Sequence, residues 1–91
     1  MLELVTTSQF KKDLKRLQKR GMNLKSLSSV LNSLCREDEL EPRHRDHALV
    51  GRYMGFRECH IQADWLLIYM IDHNTLILTA SRTGSHADLF D

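Results

Sequence analysis

Three histidines, one carboxylate and two aromatic side chains, His47, His60, Asp64, Trp65, His86 and Phe90, fall in the second half of a 91-residue chain. Most stand beside glycines or turn-forming residues, where strands end and side chains reach solvent. Histidine, with an unperturbed pKa near ~6.5, gives or takes a proton around neutrality. Two of them can therefore act as base and acid in one reaction, and a nearby carboxylate can orient an imidazole and fix its tautomer. His47, His60, Asp64 and His86 are also legitimate zinc ligands. No pair of histidines has the i,i+2 or i,i+4 spacing of a preformed metal site, however, so no metal or cofactor is expected. His44 and His73 lie in predicted turns and are read as surface residues.

The elements that must position these side chains are legible in the order of the chain. Leu2, Leu4 and Val5 read as a short first strand. Thr6 with Gln9 three residues on predicts a capping box, in which each side chain satisfies a free backbone N–H of a new helix. Phe10, Leu14 and Leu17 then form one apolar stripe, and Gly21 stops the helix. Asn23 caps a second helix with Leu24, Leu27, Leu31 and Leu34 on one face and Val30 beside them. Residues 37–46, acidic and containing Pro42, read as an exposed loop without a functional role.

After Ala48 the pattern changes to strands: Phe56 to Ile61, Trp65 to Ile71 and Thr75 to Arg82, joined by Gln62-Ala63-Asp64 and Asp72-His73-Asn74. Trp65 to Ile71 is apolar throughout, as a central strand covered on both faces would be. The expected fold is therefore α+β, an N-terminal strand and two-helix hairpin packed on an antiparallel sheet, with residues 1–91 forming one domain. A core this small leaves room for a shallow groove rather than a deep pocket. That favours a polymeric substrate over a small metabolite.

The net charge of +1 conceals an asymmetry. Residues 1–57 hold twelve Lys and Arg against seven Asp and Glu, and residues 58–91 hold one against five. The basic first half, Lys11, Lys12 and Lys15 included, suits phosphates or an acidic partner, because neutralising phosphates releases counterions; a solvated helix face is the plain alternative. Cys35 and Cys59 are too few for a disulfide scaffold, so a reduced, cytoplasmic location is expected. The N-terminal residues do not form a signal peptide. The longest apolar run is far shorter than the ~20 residues a bilayer requires.

Four ordered motifs carry a resemblance. Asp46-His47-Ala48-Leu49-Val50-Gly51, Gly55-Phe56-Arg57-Glu58-Cys59-His60, Ala63-Asp64-Trp65-Leu66-Leu67-Ile68-Tyr69 and Arg82-Thr83-Gly84-Ser85-His86-Ala87-Asp88-Leu89-Phe90, with the Ser8-Gln9-Phe10-Lys11-Lys12-Asp13 helix start, resemble the YafQ branch of the RelE/ParE toxin superfamily. Ala48 stands where that family often has proline, Glu58 where aspartate is common, and Cys59 beside the histidine. The resemblance implies a RelE-like fold and a type II toxin, an endoribonuclease that cuts mRNA in the ribosomal A site, silenced by a cognate antitoxin with which it forms a hetero-oligomer. It further implies that His47, His60, Asp64 and His86 are the catalytic group, with Trp65 and Phe90 supporting the site or the substrate.

Metal-free RNA cleavage needs a base for the 2′-hydroxyl proton, charge stabilisation at the phosphorane and an acid for the leaving 5′-oxygen. Placed on that scheme, His86 is the acid and His60 or His47 the base, with Asp64 orienting one imidazole. Arg57 and Arg82 are candidates to neutralise the phosphorane, or else surface ion pairs. Phe90 is a stacking platform or a tail tucked on the core; Trp65, at the start of the most apolar strand, is drawn toward the core. Two other classes compete: a ParE-like gyrase inhibitor that cuts nothing, and a non-catalytic RNA- or protein-binding module. Neither needs the histidine set.

Overall fold

The computed structural model describes residues 1–90. Their order is β1 (Glu3–Thr6), α1 (Ser8–Lys19), α2 (Leu24–Cys35), a 3-10 turn (Pro42–His44), β2 (His47–Ala48), a second 3-10 turn (Gly51–Tyr53), β3 (Arg57–Gln62), β4 (Trp65–Asp72), β5 (Ile77–Gly84) and α3 (His86–Phe90). The strands form one sheet in the order β1-β5-β4-β3-β2. β2 to β5 are antiparallel as expected, whereas β1 lies parallel to β5 at the far edge. The sheet is thus mixed, because the αα hairpin and three further strands form the long crossover that a parallel pair requires.

The first helix starts one residue later than the capping-box pattern predicts. Thr6 stays in β1, where it pairs with Ala80. The cap falls to Thr7, whose hydroxyl accepts from Phe10 N–H at 3.0 Å, and Gln9 donates instead to Asp13 at 3.2 Å. The helix ends as foreseen: Gly21, at φ +77, donates to Gln18 O, and Met22 donates to Leu17 O. These two bonds satisfy carbonyls that the last turn would otherwise leave free. Asn23 caps α2 by accepting from Lys25 N–H at 3.0 Å.

Phe10 and Leu17 of α1 and Leu27, Val30, Leu31 and Leu34 of α2 pack on one face of the sheet against Cys59, Ile61, Trp65, Leu67, Tyr69, Leu78 and Ala80. The other face carries a smaller cluster, in which Leu66, Ile68 and Leu89 are covered by Leu49, Tyr53 and Phe56. Trp65 to Tyr69 is buried at every position for this reason, one set of side chains facing the helices and the alternate set facing the 49–56 segment and α3. Among the described residues no helix is long and apolar enough to cross a membrane.

One expectation for residues 37–46 is corrected. His44 is buried, not on the surface, and its Nδ1 lies 2.6 Å from the carbonyl oxygen of His60. The cause is the short β2, which pairs only with Arg57 and Glu58 and leaves the outer edge of β3 without a partner strand farther on. A part-buried carbonyl there needs a donor, and the turn started by Pro42 supplies it from a side chain. Asp46 is not idle either: it accepts from Tyr69 Oη at 2.5 Å and from Arg57 Nε at 3.3 Å. His73 is on the surface as expected, 3.4 Å from Glu37.

Candidate active site

Directly opposed residues of antiparallel strands share a face of the sheet. The register therefore aligns His47, Glu58, Ile68 and Arg82 in one row across four strands, and His60, Leu66 and Gly84 in the next. Both rows lie on the face away from α1 and α2. His47 and His60, distant in sequence, are diagonal neighbours on it, and α3 brings His86 to the end of the second row.

His86 and Asp64 form the most defined pair. Asp64 Oδ1 accepts from the backbone N–H of His86 at 3.1 Å and lies 3.0 Å from its Nδ1. The backbone N–H and, after it, the imidazole hold the Asp64 carboxyl below the usual carboxylate range. With Nδ1 donating to the carboxylate, the open nitrogen is Nε2, which carries a lone pair when the ring is neutral and a proton when it is charged. The His60 ring stands 6.3 Å from that of His86, centroid to centroid, and the Phe90 ring 5.9 Å away on a tilted approach. Phe90 also meets Tyr53 edge to face at 5.8 Å and is 40% exposed, so it is neither a free tail nor fully tucked into the core.

The placement of His86 depends on its immediate surroundings. Ser85 and Asp88 cap α3 reciprocally, Ser85 N–H donating to Asp88 Oδ2 at 2.9 Å and Asp88 N–H to Ser85 Oγ at 3.1 Å. Gly84 precedes them at φ +153, and a Cβ there would meet Asp88 Oδ2 at 2.8 Å. Only glycine fits. Arg20 then grips Asp88 with both terminal nitrogens, at 2.7 and 2.9 Å.

His47 is engaged at both nitrogens. Nδ1 lies 2.7 Å from Arg45 O and Nε2 3.0 Å from Glu58 Oε2. A ring that donates from both satisfies both oxygens. Glu58 is itself buried, and its other oxygen, Oε1, has no hydrogen-bond partner. No partner of this kind occupies the ring nitrogens of His60 among the described residues.

The remaining sequence candidates separate. Arg82 is on the histidine face, opposite Ile68, with its guanidinium held by Asp13 at 2.9 and 3.2 Å. Asp13, fully buried, also accepts from Thr83 N–H at 3.1 Å, replacing the strand partner that β5 loses where β1 ends at Thr6. Arg57 lies opposite Tyr69, on the helix side, and pairs with Asp46. It is therefore separated from His60 and His86. Trp65 is 1% exposed, and its Nε1 donates to Thr83 Oγ1 at 2.9 Å, so it belongs to the core and not to a substrate surface. Lys11, Lys12 and Lys15 are exposed on α1.

Asp13, Tyr53, Glu58 and Asp88 escaped the sequence reading. Ser85-His86-Ala87-Asp88 has the spacing of a cap and was open to detection; Asp13 looks from sequence like any charge on a helix surface. Among the described residues no three His, Cys, Asp or Glu side chains gather closely enough to hold a metal. Cys35 and Cys59 are both free and buried, and burial pushes the Cys59 thiol up to about 12. It is not a nucleophile near neutrality.

A small mixed sheet with two helices on one face and a histidine–carboxylate pair on the other defines a class found among bacterial toxins. The metal-bound toxin from Helicobacter pylori superimposes with a TM-score of 0.93 at 44% identity, covering 99% of this chain and 100% of that one. YafQ in its complex with DinJ from Escherichia coli gives 0.90 at 33% identity, with both chains fully covered. Among curated proteins, the mRNA interferase toxin YafQ of Escherichia coli strain K12 is 35% identical over 85 residues, 92% of this chain and 90% of that protein. The model of the YafQ family, bacterial toxins of type II toxin-antitoxin systems, matches residues 2–91, and the chain belongs to that family.

Proposed function

We propose that the chain is an mRNA interferase, an endoribonuclease that cuts mRNA in the ribosomal A site by metal-independent acid-base catalysis. The observation that carries this is the Asp64–His86 pair with Nε2 left open, facing His60 across 6.3 Å and flanked by Phe90. His86 in its charged form protonates the leaving 5′-oxygen. His60, with uncommitted ring nitrogens, takes the proton of the 2′-hydroxyl. His47, with an oxygen against each ring nitrogen, has none open to take the proton, and Arg82 stands three strands away in the same row. Each well-placed acid or base contributes about 10²- to 10⁴-fold, and positioning of the mRNA by the ribosome contributes further.

The relatives support the assignment, since the curated Escherichia coli protein is named an mRNA interferase toxin and YafQ was crystallised with DinJ. This chain accordingly has a cognate antitoxin as partner, forms a hetero-oligomer with it, and works in the cytoplasm on ribosomes. Primer extension on mRNA from cells expressing the wild type and His86→Ala tests the proposal. Translation-dependent cuts within codons are expected from the wild type and none from the variant. Growth arrest through gyrase with intact mRNA would reject it in favour of a ParE-like inhibitor.

A further inference from the structure

The face that holds His60 continues around the outer edge of β3, past the point where β2 ends. A hollow of about 390 Å³ follows that edge, lined by Arg43, His44, Arg45, His60 and Gln62 among others. A second, of about 340 Å³, shares Arg43, His44 and Gln62 with it and reaches Lys25, Ser26 and Ser29 of α2. No carboxylate lines either hollow. A third, of about 420 Å³, gathers Asp38, Glu39, Glu41 and Asp46 with Arg45 and Arg57, so Arg45 lines both it and the first hollow.

The cations of this groove are little committed to carboxylates, a condition they share with the exposed Lys11, Lys12, Lys15, Lys19 and Arg52. Arg16 and Arg20 pair with Asp88, Arg36 with Asp38, Arg57 with Asp46 and Arg82 with Asp13. Among the described residues Lys25 and Arg45 have no carboxylate within 4.0 Å, and Arg43 has only Glu41 at 3.6 Å, both side chains 72% exposed. A pair so exposed contributes little.

We propose that this groove binds the sugar-phosphate backbone of single-stranded RNA on one side of the cut, Arg43 and Arg45 holding a phosphate beside His60 and Lys25 with the two serines holding the next. This rests on the ribonuclease reading of the histidine face and extends it. Cations and hydroxyls at a groove edge contact phosphates and position a strand without reading its sequence. A single strand is required, because a base stacked on Phe90 must first leave any duplex.

The test uses the full chain carrying His86→Gln, so that RNA survives, and a labelled single-stranded oligoribonucleotide titrated between 50 and 200 mM salt. For single strands log affinity falls with log salt by about 0.7 per phosphate contact. Lys25→Gln with Arg43→Gln and Arg45→Gln, which frees both phosphates, should therefore remove about 1.4 from the slope, shrinking the loss across this fourfold salt range about sevenfold. Arg43→Gln with Arg45→Gln, which frees one phosphate, should remove about half as much. Unchanged slopes in both variants, absence of salt-dependent binding by the parent, or equal binding of a duplex would overturn the proposal. So would variants that keep their RNA affinity and lose only that for a glutamate-rich peptide. Translation-dependent cleavage by the chain with His86 and the groove both intact separates the two ideas: cutting with unchanged slopes in the variants rejects the groove alone, and altered slopes with no cutting by the intact chain reject the nuclease alone.

Discussion

Arg20, at the end of α1, and Asp88, in α3, meet through two parallel hydrogen bonds of 2.7 and 2.9 Å across 68 positions of sequence. The contact fixes the short helix that carries His86 to an element that otherwise packs only on the far side of the sheet. Arg16 adds a third approach to the same carboxylate at 3.5 Å. Geometry on the histidine face is thus set partly by a helix that bears none of its proposed catalytic groups.

Asp88 should make stability fall in acid. Arg20 first, and Ser85 N–H after it, hold its carboxyl far below the usual carboxylate range. A folded pKa depressed in this way means that the contribution is complete above the unfolded value, about 3.9, and is lost as pH falls toward the folded one. Asp88→Asn should lower Tm at pH 7 by several degrees, since about 1 kcal/mol shifts a domain of this size by about 4–8 °C. Its Tm should then decline less steeply than the wild type's from pH 5 to pH 2. Parallel curves would show that Asp88 is not the group responsible.

Gly84→Ala should damage the site more than the fold. The new methyl would lie 2.8 Å from Asp88 Oδ2 at a φ of +153, and such strain costs roughly 1–3 kcal/mol. The strain is relieved by moving α3, which withdraws His86 from Asp64. A folded variant with its turnover number reduced at least tenfold is expected; wild-type turnover in single-turnover mRNA cleavage would refute the role given to Gly84.

Trp65 and Phe90 should part company under substitution. Trp65→Phe removes the donor to Thr83 Oγ1 and should cost about 1 kcal/mol of stability, with KM unchanged once the protein is folded. A raised KM at undiminished stability would return Trp65 to the substrate surface.

Phe90→Ala should raise KM by about five- to 150-fold, the equivalent of the roughly 1–3 kcal/mol of base stacking. Phe90→Tyr should preserve it, because the π-face remains. Equal KM values for the two variants would leave Phe90 a packing residue only.

Much of this was readable from residue type and spacing. The alternation and length of the apolar runs located both helices and β3 to β5, and Gly21 and Asn23 punctuate the hairpin where their chemistry requires. What escaped was set by long-range pairing. β1 lies parallel to β5 because of where a crossover lands, which local pattern does not encode. His44 is buried because β2 stops after two residues, and Arg57 lies on the wrong face for the phosphate because of strand register. The individual histidines and Asp64 were visible; that His47 is engaged at both nitrogens while His60 is open emerges only when Glu58 and Arg45 are placed around them.

The bonds that complete the histidine face join the two ends of the chain: Thr7 to Ser81, Asp13 to Thr83 and Arg20 to Asp88, separated by 74, 70 and 68 positions. Contacts of that span are the last for which a folding chain pays the closure entropy. A polypeptide still in synthesis, with α1 made and β5 absent, therefore holds none of this chemistry. The histidine face forms only once β5 and α3 have been made, and an agent that separates them from α1 would dismantle it without touching a histidine.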